Sequence, residues 1–213
     1  MDPVRIYRRI CRVSLGRSFR LLSQTFGFRE VSLRFVQLSF GAGNFATWLH
    51  RFHRYSGLRS QLAPTSGAMG YGVPAAVAAK LVHPDRLVVG FCGDGGFMMT
   101  GQELATAMLE GTGPIILVFN NAMYGTIRMH QERHYPGRVS GTSLVNPDFA
   151  ALARAYGAVG LTVNRTEEFA GAFERALAAG GPALVHVRID PQALTPNASL
   201  DALRAQGFAA REK

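Results

Sequence analysis

The chain has 213 residues, of which 47% are hydrophobic, so it can bury a sizeable core and is expected to hold a single α/β domain. Its net charge is +9, but residues 1–40 supply +6 of this and the rest is nearly balanced, which argues against a nucleic-acid-binding protein. Since no apolar run reaches the length of a membrane span and there are only two cysteines, the sequence predicts a cytoplasmic protein without a membrane partner.

Residues 1–40 differ from the rest of the chain because they contain eight arginines, no lysine and only two acidic residues. We predict that they form an atypical, poorly ordered Arg-rich extension; an organelle transit peptide and a basic interaction arm are the alternatives. The folded domain is then expected over residues 41–191. A polar tail over residues 192–213 follows it, with a short helix predicted from Leu200 to Gln206.

The first glycine-rich loop is Gly41-Ala42-Gly43-Asn44-Phe45-Ala46, which fits the Gly-x-Gly-x-x-Gly/Ala fingerprint of dinucleotide-binding proteins. Residues 31–40 are a candidate for the strand before it. However, no acidic residue stands about twenty positions further on to hold a ribose hydroxyl. A nicotinamide-dependent oxidoreductase therefore stays an alternative only, beside a plain tight turn or a loop that contacts a diphosphate.

The middle of the chain predicts a strand-helix-strand unit. Residues 87–92 and 115–119 are short apolar runs typical of strands buried on both faces. Between them, Thr100 and Glu103 fit a capping box, which predicts a helix that begins near Thr100 and ends at Gly111. A unit of this length is typical of a right-handed crossover between parallel strands.

Polar loops follow both of these strands: Gly93-Asp94-Gly95-Gly96 after the first and Asn120-Asn121 after the second. Parallel strands end at the same edge of a sheet, so Asp94 and Asn121 are expected to converge there. Glycine lets backbone N–H groups approach an anion closely, and carboxylate and amide oxygens suit a hard cation such as Mg²⁺. The sequence thus predicts a metal-bridged diphosphate.

These motifs resemble the cofactor signature of the thiamine diphosphate (ThDP)-dependent enzymes, in their carboxy-terminal pyrophosphate-binding domain. The resemblance rests on Gly-Asp-Gly followed after 24 residues by Asn-Asn, on Ala122-Met123-Tyr124-Gly125, and on the upstream run from Ser66 to Ala76. It is nearest to acetolactate synthase and related 2-oxo acid decarboxylases and carboligases. It implies that residues 41–191 form a doubly wound, mostly parallel sheet with helices on both faces.

The resemblance also implies roles for individual residues. Met69 is the apolar wedge that keeps the cofactor bent, and the Gly67 carbonyl receives the pyrimidine amino group. Mg²⁺ is held by Asp94, by Asn121 and by the main-chain oxygen of Met123, while Asn120 supports the loop. The complete set of implied cofactor-binding residues is Asn44, Phe45, Gly67, Met69, Gly93, Asp94, Gly95, Gly96, Asn121, Met123 and Tyr124.

The remainder of the sequence indicates ordinary α/β alternation. The polar run from Ile127 to Tyr135 is expected to be a loop that covers the site or faces substrate, and its His130 and His134 lack an evident third zinc ligand. A helix capped by Asn146 follows. Strands are predicted over residues 159–163 and 183–189, the second with His186 in the core.

By this resemblance, the protein takes part in the decarboxylation or carboligation of a 2-oxo acid such as pyruvate. The family activates the cofactor's pyrimidine through a glutamate on a separate domain, and no stretch of these 213 residues resembles that domain. We therefore expect the partner to be a homo-oligomer or a partner chain that carries the pyrimidine-binding domain, and we expect the chain alone to bind ThDP weakly and to turn over little substrate. A non-catalytic cofactor-binding module or truncated remnant is the alternative.

Overall fold

The structure, a computed structural model, describes residues 36–53, 55, 58 and 60–211. Most of the predicted extension, residues 1–35, lies outside the described residues, so its order and role stay a prediction. Its last five residues form a strand, and the sheet therefore begins earlier than the predicted boundary at residue 40. The sheet partners of this strand explain the difference, since β1 pairs with Gln61–Leu62 and with residues 87–91, which lie far along the chain and leave no local signal.

Strands and helices alternate along the described residues. In chain order they are β1 (Val36–Phe40), α1 (Phe45–Phe52), β2 (Gln61–Leu62), α2 (Gly72–Val82), β3 (Leu87–Gly93), α3 (Asp94–Thr100), α4 (Glu103–Leu109), β4 (Ile115–Asn120), α5 (Gly125–His134), α6 (Phe149–Ala155), β5 (Val159–Val163), α7 (Glu168–Ala178), β6 (Ala183–Arg188) and α8 (Leu200–Arg211).

The six strands form one sheet in the order β2-β1-β3-β4-β6-β5, and every pairing between them is parallel. The chain moves from β1 to β2 in one direction and then from β3 to β4 in the other. This reversal makes a topological switch point between β1 and β3, and ligands of open parallel sheets bind beyond the carboxyl ends of the strands at such a point.

Apolar side chains cover both faces of the sheet. On one face, α1 and α7 contribute Leu49, Phe169 and Phe173 to a cluster that includes Phe91 and Leu117. On the other face, α2 to α4 and α6 pack on the sheet in a second cluster, with residues such as Val73, Phe97, Leu104 and Phe149. The predicted doubly wound fold, with helices on both faces, is confirmed.

Helix α8 extends beyond the predicted end at Gln206 and packs against α5. Leu194, Leu200 and Leu203 form a third, small cluster with Met123 and Met129. The segment after β6 is therefore attached to the part of the chain that follows β4. Among the described residues, no helix is both long and apolar enough to cross a membrane.

Candidate functional site

The loops after β3 and β4 lie side by side, as the sequence predicts. Gly93 at the end of β3 pairs with Phe119 near the end of β4, so Asp94 and Asn121 follow neighbouring positions at one edge of the sheet. The loop after β1 reaches the same edge, since Phe40 pairs with Phe91 of β3. Three loops thus meet at the switch point.

A cavity of about 230 Å³ opens between these loops. Its lining includes every residue that the resemblance implied for cofactor binding: Asn44, Phe45, Gly67, Met69, Gly93, Asp94, Gly95, Gly96, Asn121, Met123 and Tyr124. The structure brings these residues together, while their binding of a cofactor stays a prediction. The sequence did not identify several apolar lining residues, which come from distant segments and carry no local motif: Trp48, Phe119, Ile127, Ile189 and Leu194.

Asp94 is the one carboxylate in the lining of this cavity, and its side chain is buried. One oxygen, Oδ1, accepts the N–H of Gly95 at 2.9 Å, and the other, Oδ2, accepts the side-chain N–H of Asn146 at 2.8 Å. Burial raises the pKa of the Asp94 carboxyl, and these hydrogen bonds act in the opposite direction. Within the part of the chain that the structure describes, no lysine, arginine or histidine lines the cavity to balance its charge.

The predicted helix between β3 and β4 is present as α4, but a further helix, α3, begins before it at Asp94. The predicted capping box is wrong, because the N-cap of α4 is Gln102 and no side chain caps it. The Thr100 hydroxyl instead donates to the carbonyl of Gly70 at 2.7 Å, which ties α3 to the loop before α2. As a result Gly95 lies in the first turn of a helix, directly against Tyr124. A Cβ at Gly95 would collide with the Tyr124 ring, and only glycine fits this position without a shift.

The turn from Asn120 to Met123 has an unusual backbone. Ala122 adopts a left-handed conformation with φ of 56°, which is costly for a residue with a Cβ. The Asn120 carboxamide holds this turn, because its Oδ1 accepts the N–H of Ala122 at 2.9 Å. The predicted supporting role of Asn120 is confirmed.

A second segment, residues 142–146, also supports the turn. The carbonyl of Ala122 accepts the N–H of Leu144, the carbonyl of Thr142 accepts the N–H of Tyr124, and Met123 forms a β-bridge with Ser143. The main chain around Met123 is therefore fixed by hydrogen bonds on both sides. This is the segment whose carbonyl oxygen the resemblance assigned to the metal.

Asn146 does not cap α6, contrary to the prediction. Asp148 is the N-cap, and its Oδ1 accepts the N–H groups of Ala150 at 2.9 Å and Ala151 at 3.1 Å. Asn146 instead points its amide at the site, where it donates to Asp94 and, at 2.9 Å, to Oδ1 of Asn120. In the sequence Asn146-Pro147-Asp148 both Asn146 and Asp148 are suitable caps, so no local signal separated their roles.

The polar run after Gly125 is the helix α5 and not the predicted covering loop. Its buried Glu132 binds Arg128 one turn earlier and Arg204 of α8, and these contacts stabilise a segment that has little apolar periodicity. His130 and His134 stack at 6.2 Å between ring centroids. The described part of the chain contains no group of three His, Cys, Asp or Glu residues that could hold a metal.

The first glycine-rich loop is joined to the start of α5. Oδ1 of Asn44 accepts the hydroxyl of Thr126 at 3.0 Å, and the N–H of Ala42 donates to the carbonyl of Ala68 at 3.3 Å. The loops after β1 and before α2 and the N-terminus of α5 therefore surround the cavity as one hydrogen-bonded unit.

The donor set of the cavity fits a hard divalent cation together with an anion. A buried carboxylate without a basic neighbour favours a cation, and carboxylate, amide and main-chain oxygens are the ligands that Mg²⁺ prefers. Next to Asp94, the glycines at positions 95 and 96 leave room for a phosphate close to the backbone. No acidic residue stands between Gly41 and Asp85 in the sequence. The first glycine-rich loop therefore lacks the carboxylate that would hold a ribose hydroxyl, which disfavours a nicotinamide site.

Comparison with protein families gives a match over residues 41–187. The matching family model is the thiamine pyrophosphate enzyme, C-terminal TPP binding domain. The match covers more than half of the chain and includes β3, β4 and the loops that follow them.

Individual proteins and structures agree with this match. The chain is 40% identical over 124 residues to the mitochondrial acetolactate synthase catalytic subunit of Saccharomyces cerevisiae, a match that covers 58% of this chain and 18% of that protein. It is 34% identical over 173 residues to a putative thiamine pyrophosphate-containing protein of Bacillus subtilis, covering 80% of this chain and 30% of that one. A ThDP-dependent 4-hydroxybenzoylformate decarboxylase of Rhodococcus jostii superimposes with a TM-score of 0.69 and 31% identity, over 81% of this chain and 32% of the decarboxylase.

Proposed function

The chain belongs to the thiamine pyrophosphate enzymes by its C-terminal TPP-binding domain, and we propose that it binds ThDP with Mg²⁺ as part of an acetolactate synthase-like enzyme. The proposed reaction is the decarboxylation or carboligation of a 2-oxo acid such as pyruvate. One observation carries the proposal. The buried carboxylate of Asp94 faces, together with Asn121 and Met123, a cavity that has no basic side chain among the described residues that line it.

Each part of the cofactor has a counterpart in the cavity. Mg²⁺ would be held by Asp94, Asn121 and the main-chain oxygen of Met123, and the diphosphate by the glycine-rich loops that begin at Gly41 and Gly93. Met69 and Gly67 would hold the two rings in position. When bound, ThDP would supply a carbanion that attacks the carbonyl carbon of a 2-oxo acid, so that carbon dioxide can leave. The protein's part is to bind and orient this group.

The rest of the cofactor site is proposed to come from outside these residues. The chain spans between 18% and 32% of the length of the relatives described above. Near the cavity, Met98, Met99 and Ile127 are about half exposed, and clustered exposed apolar side chains favour coverage by another protein surface. We infer that a pyrimidine-binding domain with the activating glutamate covers this side, on a partner chain or on a further segment.

Calorimetric titration of the full chain with ThDP and Mg²⁺ tests the proposal. We expect binding that requires Mg²⁺, and we expect Asp94→Asn to weaken it by more than about 100-fold, because changes outside the ligand shell alone cost about 10–100-fold. Asp85→Asn is the matched control, since Asp85 is exposed and precedes β3 at the opposite edge of the sheet. Mg²⁺-independent binding, or equal affinity of the Asp94 variant, would contradict the proposal.

The same samples distinguish the enzyme from the non-catalytic module. Pyruvate turnover is measured with the chain alone and with a full-length acetolactate synthase whose own cofactor-binding Asp is substituted. Recovery of turnover in the mixture favours a catalytic subunit that needs a pyrimidine-binding domain. Binding of ThDP without turnover in either sample favours the module.

A further inference from the structure

Asn146 bridges the two loops to which the proposed metal ligands belong. Its side-chain amide has two N–H groups, and both are used: one donates to Asp94 Oδ2 at 2.8 Å and the other to Asn120 Oδ1 at 2.9 Å. Asp94 follows β3 and Asn120 ends β4, so a third segment connects them across the carboxyl edge of the sheet.

The hydrogen bonds fix the orientation of the Asn120 carboxamide. Its Oδ1 accepts two N–H groups, from Ala122 and from Asn146, and therefore its NH₂ group faces His186 Nε2 at 2.9 Å. The imidazole nitrogen must then be the acceptor in this bond, and the proton of neutral His186 lies on Nδ1. His186 is buried within β6 against the edge of the Phe149 ring, which gives the chain of bonds a rigid anchor.

The same bonds restrict the Asp94 carboxylate. Its Oδ1 accepts the N–H of Gly95, and its Oδ2 accepts a side-chain N–H of Asn146. The N–H groups of Ala122 and Met123, in the turn after β4, also stabilise the charged carboxylate. Asn146 therefore belongs to the set of hydrogen bonds that orients Asp94 at the cavity.

We propose that Asn146 is a positioning residue for the cation, acting through Asp94 and through the turn from Asn120 to Met123. The inference rests on the proposed function, which it deepens by adding a residue that the family resemblance did not include. A role confined to local structure fits the contacts less well, because Asp148 already caps α6 and both amide donors of Asn146 go to the two ligand-bearing loops. Partners of this kind, outside the ligand shell, orient ligands and raise metal affinity.

The test is a Mg²⁺ titration at saturating ThDP with Asn146→Ala and Asn146→Leu in the full chain. Leu keeps the branched shape of Asn without its donors. We expect both variants to bind Mg²⁺ about 10–100-fold more weakly than the unsubstituted chain. Val145→Ala is the neighbouring control, since Val145 is fully exposed, and its affinity should be unchanged.

A second variant separates positioning from a loss of stability. Phe173→Leu, in α7 at a buried core position that does not line the cavity, lowers stability but should leave Mg²⁺ affinity unchanged. Hydrogen exchange without any ligand gives an independent readout. The N–H of Ala122, held by Asn120, should exchange about fivefold faster in Asn146→Ala, since the loss of one hydrogen bond is worth about 1 kcal/mol.

The outcomes separate this inference from the proposed function. If the unsubstituted chain binds ThDP and Mg²⁺ and the Asn146 variants bind Mg²⁺ equally well, the positioning role is overturned and the proposed function stands. If Phe173→Leu weakens binding as much as the Asn146 variants do, positioning is also overturned. If the unsubstituted chain does not bind Mg²⁺ and ThDP at all, both are overturned.

Discussion

Glu132 connects α5 to α8, and its neutralisation is expected to destabilise the protein. The carboxylate is fully buried and accepts four hydrogen bonds: two from Arg204 at 2.7 and 2.8 Å, one from Arg128 at 3.0 Å and one from the N–H of Gly137 at 3.0 Å. These partners, Arg204 first, lower the pKa of Glu132 from 4.5 to about 2. The substitution Glu132→Gln removes the charge and keeps the shape.

The pKa of Glu132 sets the expected size of the effect. A difference of one pKa unit corresponds to about 1.4 kcal/mol between the two protonation states, so a carboxyl lowered to about 2 favours the charged form by about 3 kcal/mol. Arg204 is about one third exposed, and solvent screening reduces its share. We therefore expect Glu132→Gln to lower the free energy of unfolding by about 2–3 kcal/mol, close to the range for breaking a buried ion pair.

Urea unfolding followed by circular dichroism measures this change. With a urea dependence of about 2 kcal/mol per molar, the midpoint should fall by about 1 M. The matched control is Glu168→Gln, because the ion pair of Glu168 with Arg165 lies on the surface, and we expect a much smaller shift of the midpoint. Equal midpoint shifts in the two variants would refute the reasoning, since burial would then make no difference to the contribution of a carboxylate to stability.

Two further predictions concern pH and the backbone of the site. Burial lowers the pKa of His186 and of His53 below 6.5. The stability that depends on their neutral forms is therefore complete above pH 6.5 and should be lost as the pH falls through the folded-state pKa values. Urea midpoints should decrease between pH 7 and pH 5. A flat profile in that range would contradict this, and His186→Gln should reduce the slope. Ala122→Val places a β-branched side chain at a φ of 56° and should lower the free energy of unfolding by about 1–2 kcal/mol in the same assay. Ala122→Ser should lower it less, and equal effects would contradict the strain argument.

The central strands could be predicted from the sequence because strands buried on both faces consist of apolar residues. β3 and β4 are covered on both faces by helices, so nearly every residue in them is apolar and the runs stand out. β2 could not be found in this way. It has two residues, Gln61 and Leu62, and it exists as a strand through its pairing with β1.

Helix α5 shows what a sequence pattern omits. Its residues are polar, and the glycines at 137 and 141 indicate a loop when they are read locally. What stabilises the helix is Arg204, which lies 72 residues further along the chain and binds Glu132 from α8. A contact of this kind has no periodicity, so only the three-dimensional structure shows that a polar segment is ordered against its neighbour.

The residues of the candidate site divide in the same way into those that a motif predicts and those that it does not. The sequence identifies Asp94 because this carboxylate stands between glycines. The structure gives the reason for glycine at position 95, where a side chain would collide with Tyr124. Asn146 and His186 have no such local requirement, since many side chains can follow a loop or fill a strand. Asn146 contacts both Asp94 and Asn120 through its side-chain amide, and His186 contacts Asn120 because β4 pairs in parallel with β6. The motif therefore predicts which atoms face the cavity, and the fold determines how firmly they are held there.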